Sequence, residues 1–121
     1  MAMAQTMFER YGGFANVSKV VMAFYDRALD SDTVGAYFED TDLKALIDHQ
    51  TQFIAQVMGG PEVYTNEVLQ GVHARLGITE AAFDEMTAIL GETLQDFEFD
   101  RSDIDQVIDD LRSRRQYIVT A

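Results

Sequence analysis

The feature that most constrains this chain is the period of its apolar residues, which is helical almost from end to end. Val17, Val20, Val21, Phe24 and Ala28 follow the i, i+3, i+4, i+7 spacing that lines one face of a helix over 15–29. Leu43, Leu46, Ile47, Phe53, Ile54 and Val57 do the same over 42–58. No stretch alternates apolar and polar residues for long enough to make a strand, and Pro61 is the one proline. The fold class expected is all-α.

Breaks in the pattern fall on residues that start or stop helices. A short opening helix over 5–10 should end at Gly12-Gly13, because glycine tolerates left-handed backbone angles. Ser31-Asp32 should cap a short turn that leads to Tyr37-Phe38. Gly59-Gly60-Pro61 should end the helix over 42–58. A short helix carries Val68, Leu69, Val72 and His73, and Gly77 breaks it. Thr79 can cap a long helix bearing Phe83, Met86, Leu90, Leu94 and Phe97. Ser102, with Asp105 three residues on, resembles a capping box for a last helix carrying Ile104, Val107, Ile108 and Leu111. There is no internal repeat or linker, and 121 residues suit one domain over 1–121.

Charge narrows the partners. A net charge of −12 repels phosphate backbones, which excludes nucleic acid and argues against anionic membrane surfaces. Apolar runs are only a few residues long, and the start has neither the basic stretch nor the apolar run of a secretory signal. With no cysteine there is no disulfide framework or thiolate metal site, which fits a reducing compartment. A cytoplasmic location is the default expectation, and a monomer is expected. Arg101, Arg112, Arg114 and Arg115, four of the nine basic residues, are expected on the solvated face of the last helix.

Three polar side chains fall where core residues belong. Gln50 sits in the middle of the apolar stripe of its helix. A buried amide without partners costs on the order of 1–3 kcal/mol, so it must bond backbone, water or a polar ligand. Tyr25 lies between Val21 and Leu29 and can face inward too, where its phenol and the Gln50 amide could satisfy each other. His73 shares a helix face with Leu69. It is either a satisfied core histidine or an axial metal ligand. A lone histidine cannot make a zinc site, which needs about four ligands, whereas haem needs one strong protein ligand.

Tyr11-Gly12-Gly13, Phe24-Tyr25, Tyr37-Phe38, His49-Gln50, Gly59-Gly60-Pro61 and Val72-His73, in this order, resemble the truncated haemoglobins of the first group. The resemblance covers nearly the whole chain, from about Met7 to Leu111. It implies a truncated globin fold, a two-over-two helical sandwich around non-covalent haem b (iron protoporphyrin IX). His73 matches the proximal ligand to iron, and Phe38 the aromatic that packs on the porphyrin. Tyr25 and Gln50 match the distal donors to bound oxygen, and Leu46 falls where many globins place a distal histidine. Given the resemblance, Phe24, Phe53, Ile54, Val72, Ile78, Phe83, Met86 and Leu90 are the expected apolar pocket wall, and Lys44 and Tyr64 are candidate partners for the propionates.

Some relatives use a histidine at the place of His49 as a reversible sixth ligand. Adjacent helical residues point about 100° apart, so His49 and Gln50 cannot both aim at the iron from a fixed helix. A rim position beside a propionate is the other reading of His49. Some cyanobacterial relatives attach haem covalently through a further histidine near the C-terminus, where this chain has Arg114-Arg115 and no third histidine. Two activities agree with the resemblance. One is nitric oxide dioxygenation with an external electron donor, since the chain carries no flavin or nicotinamide motif. The other is non-catalytic oxygen binding, storage or sensing.

Overall fold

The computed structural model describes residues 5–74 and 76–120. They form α1 (Met7–Arg10), α2 (Gly13–Leu29), a 3-10 turn (Gly35–Phe38), α3 (Leu43–Val57), α4 (Asn66–His73), α5 (Glu80–Asp96), α6 (Arg101–Ser113) and α7 (Arg115–Ile118). No strand occurs among the described residues, and none of their helices is long and apolar enough to cross a membrane.

Four helices begin at a side-chain cap, among them the expected Thr79. Thr6, Asp42, Thr65 and Thr79 each accept a hydrogen bond from the backbone N–H three residues on. In α1 the cap is reciprocal, since the Glu9 carboxylate accepts from the Thr6 N–H. Gly12 and Gly13 take φ of 93° and 72°, the left-handed angles that end α1 and turn the chain into α2. Gly60 is required for another reason: a Cβ there would stand 2.8 Å from the Ala55 carbonyl oxygen.

Two helix pairs make two layers. α2 packs on α3, α5 packs on α6, and the layers meet where α2 crosses α5 and α3 meets α6. Between them lie Val17, Val20, Val21, Phe24 and Ala28 of α2, Phe53 and Ile54 of α3, Leu90 and Leu94 of α5, and Ile104, Val107 and Leu111 of α6. Burying side chains of this size supplies roughly 1.5–3 kcal/mol each and is the main force holding the layers together. Arg27 adds a polar tie from α2 to α5, donating to Thr93 at 3.2 Å and to Asp96. α4 stands apart from this arrangement. Its main packing partner is α7, not α3 or α5.

Two expectations are corrected. α6 is not capped by Ser102 and Asp105. It starts at Arg101 after Asp100, whose side chain makes no cap bond. The Asp100 N–H instead donates to the Tyr11 hydroxyl at 2.9 Å, and the Tyr11 ring stacks on Phe99 at 3.7 Å. The chain is therefore seated before Ser102, which is already helical. The C-terminal arginines also divide. Arg101 and Arg112 are exposed, but Arg114 and Arg115 are half-buried, over the rings of Phe53 and Phe83 at 5.5 Å and 5.1 Å. Arginine stems cover apolar surface well, so charge alone does not place such residues in solvent.

Candidate functional site

Tyr25 is buried on α2, with its ring edge-on to Phe24 at 4.9 Å and to Phe38 at 5.4 Å. Phe38 comes from the 3-10 turn, so the fold joins two of the expected site residues. The Tyr25 hydroxyl makes no hydrogen bond among the described residues. Burial pushes its phenol pKa up and keeps it a neutral donor. Gln50 is half-buried on α3, and its amide also lacks a bond among the described residues. The phenol and the amide do not satisfy each other. Around them Leu46 is half-buried, and Phe24, Phe53 and Ile54 are buried.

His73 is the last residue of α4 and is half-buried. Its Nδ1 lies 2.7 Å from the Leu69 carbonyl oxygen. A carbonyl can only accept, so Nδ1 carries the proton and Nε2 keeps its lone pair. The same bond fixes the ring's orientation, as the second partner of a metal-ligating histidine does. Leu69 is the buried residue of α4. Val72, expected as pocket wall, is 61% exposed, and Val68 and Leu76 are 43% and 51% exposed. Of the other expected wall residues, Phe83 and Leu90 are buried and Ile78 and Met86 half-buried. The Tyr37 hydroxyl donates to the Gly77 carbonyl at 3.3 Å, tying the turn that carries Phe38 to the connection after α4.

His49 is exposed on α3, with its Nδ1 2.8 Å from the Tyr64 hydroxyl, which also donates to Gln52 at 3.5 Å. Burial raises the Tyr64 phenol pKa. Lys44 is exposed and forms no ion pair among the described residues. The loop holding Tyr64 is clasped by Gln56, a residue that sequence reasoning missed. Its Oε1 accepts from the Val63 and Tyr64 N–H groups, and its Nε2 donates to the Tyr64 carbonyl, all at 2.8 Å. The only hint was a glutamine on the last turn before a double-glycine stop.

These residues fit haem better than a bare metal ion. Among the described residues no group of three His, Cys, Asp or Glu side chains could hold an ion. One histidine whose Nδ1 is engaged and whose Nε2 is free, with Tyr25 on α2 and Gln50 on α3 making no side-chain bond among the described residues, suits a cofactor that brings its own equatorial ligands. A cleft of about 750 Å³ between α5 and α6 does not compete. It is open, charged and lined by Asp84, Glu92, Arg101 and Arg112, with no expected site residue.

The chain matches the family model described as bacterial-like globin over residues 6–119. A group 1 truncated hemoglobin of Tetrahymena thermophila is 30% identical over 91 residues, 75% of each chain. One of Synechocystis is 30% identical over 95 residues, 75% of this chain and 77% of the relative. Among solved structures, the 2/2 hemoglobin of a Synechococcus, in the cyanomet state and with covalently attached heme, superposes with a TM-score of 0.87 at 25% identity. That alignment covers 97% of this chain and 100% of the other. The fold defines a globin of the two-over-two class. The chain belongs to the group 1 truncated hemoglobins, a family of haem proteins that bind oxygen.

Proposed function

We propose that the whole chain, 1–121, is one globin domain that holds haem b non-covalently through His73 and retains oxygen with Tyr25 and Gln50. The observation that carries the reading is the 2.7 Å bond from His73 Nδ1 to Leu69, which leaves Nε2 as the free donor atom. Bound haem supplies an iron centre that takes diatomic ligands and exchanges one electron. The chain's own residues do the rest. Phe38, Phe53, Phe83 and Leu90 exclude water, and Val72 is surface that a flat apolar cofactor would cover. Tyr25, held neutral by burial, donates into the pocket, and Gln50 donates beside it. In a dry pocket such donors stabilise a ligand that develops negative charge, because low dielectric strengthens each bond. Lys44 and Tyr64 stand at the rim as partners for carboxylates. With two histidines in the chain, at 49 and 73, none is left near the C-terminus for a covalent link.

The activity proposed is nitric oxide dioxygenation. One nitric oxide combines with both atoms of dioxygen and one electron to give nitrate, and the electron comes from an external reductase. Oxygen storage or sensing is the alternative and uses the same donors. The proposed form is a monomer in the cytoplasm. The test is stopped-flow mixing of the oxygenated protein with nitric oxide. Stoichiometric nitrate on the millisecond scale is expected, and slow ligand replacement without nitrate would leave the storage reading. A purified protein with no Soret band after reconstitution would overturn both.

A further inference from the structure

α4 is a weak helix by its own composition. It has eight residues, includes Gly71 and buries Leu69 alone, and helices this short are marginal in water. Something outside it must hold His73 in place. Among the described residues one side-chain bond joins α4 to another element's side chain. Arg114 donates from a terminal guanidinium nitrogen to Asn66 Oδ1 at 3.1 Å. The same guanidinium donates from Nε to Asp110 at 2.6 Å and lies over the Phe53 ring. Its side chain is only 18% exposed. One planar cation thus touches α3, α4 and α6 together. Behind it the chain continues through α7, the main packing partner of α4. It then closes on the connection after α4, where the Thr120 N–H donates to the Ile78 carbonyl at 2.9 Å.

We propose that Arg114 is the positioning residue of the proximal helix, fixing the start of α4 against Phe53 and so setting where His73 presents Nε2. Its consequence for haem rests on the reading of His73 above, while its consequence for α4 does not. Arginine suits the task because its rigid fork serves two acceptors while its flat face rests on a ring. Lysine could do only one of these.

The test compares Arg114→Met, which keeps the stem over Phe53, with Asn66→Ala, the double variant, and Arg112→Met as a control that removes an exposed charge. In haem-loaded protein, amides of residues 67–73 should exchange hydrogen about tenfold faster in the first two variants, with α2 and α5 unchanged. The double variant should be no worse than the worse single, because both remove one bond. Ferric haem loss to an excess of apoglobin should rise about five- to tenfold, and the ferrous iron–histidine stretching band should shift or broaden. Equal acceleration in every helix, an unchanged α4, an unmoved iron–histidine band, or the same effects in Arg112→Met would each overturn the proposal. Should the wild type take up no haem, the His73 reading fails, and exchange in the unliganded chain alone decides the role of Arg114.

Discussion

The two sides of the proposed haem site are built in opposite ways. Tyr25 and Gln50 stand on α2 and α3, helices of 17 and 15 residues that pack on each other. His73 stands on an eight-residue helix with one buried residue. On the distal side, position is set by the core. A Tyr25 ring wedged between Phe24 and Phe38 cannot turn without moving both. On the proximal side, position is set by local bonds and by a segment that arrives from the far end of the chain. The expected chemistry agrees with this division. A donor that selects a small ligand needs fixed geometry, whereas a ligand to a large cofactor is steadied by the cofactor itself once bound.

The comparison breaks most completely at His73. His73→Ala should abolish stable haem binding, because the chain has no cysteine and its other histidine is on α3. Titration of haem into the variant, followed by the Soret band and gel filtration, checks it. An unchanged ferrous spectrum with full retention would reject the assignment. Next is Tyr25→Phe. It removes a charge-assisted donor worth roughly 1.5–3 kcal/mol and should quicken oxygen dissociation by about one to two orders of magnitude. Gln50→Leu should act in the same direction and non-additively, since both donors serve one acceptor. Rates within about twofold of wild type in both would make the pair structural.

A smaller effect is expected away from the site. Asp103 is buried on α6 and accepts from both ends of the Arg10 guanidinium at 2.9 Å and from Tyr11 at 2.7 Å. The bonds from Arg10 and then Tyr11 hold its carboxyl below the usual range against the opposing cost of burial. A depressed pKa contributes stability above the unfolded value of about 3.9 and loses it as pH falls through the folded one. Asp103→Asn should therefore lower Tm by a few degrees at neutral pH. The gap should narrow as both proteins are acidified below pH of about 4, and a gap independent of pH would assign the effect to packing. The smallest expected effect is at the rim. If His49 swings to the iron, a low-spin ferric spectrum should turn high-spin in His49→Ala. The Tyr64 bond opposes that swing, so Tyr64→Phe should raise the low-spin fraction. A ferric wild type and Tyr64→Phe that are both wholly high-spin would leave His49 a rim residue.

The sequence was most legible where the physics is local. Periodicity located the helices, and Gly12-Gly13, Gly59-Gly60, Thr79 and the start after Thr41 marked their ends. Tyr25 was legible as an inward tyrosine for the same reason. What stayed hidden depends on partners far along the chain. Asp103 looks like one more acid on a charged helix until Arg10, 93 residues earlier, is set beside it. Arg114 reads as solvated because nothing nearby announces Asn66, 48 residues away. Gln50 was overdrawn in the other direction. Its place in the stripe was right, but it is half-buried rather than enclosed.

The clamp between Tyr11 and the start of α6 also has a kinetic meaning. The bonds from Arg10 and Tyr11 to Asp103, and from Asp100 to Tyr11, close a loop of about ninety residues, the costliest kind of closure for a chain still searching. Interactions of that span are expected to form late, after α2 and α3, which are nearer in sequence, have packed together. Weakening them should leave the refolding arm of a chevron nearly in place and steepen the loss of the native state through its unfolding arm. The two ends of the molecule, joined across one carboxylate, then act as the fastener that determines how long the folded chain lasts.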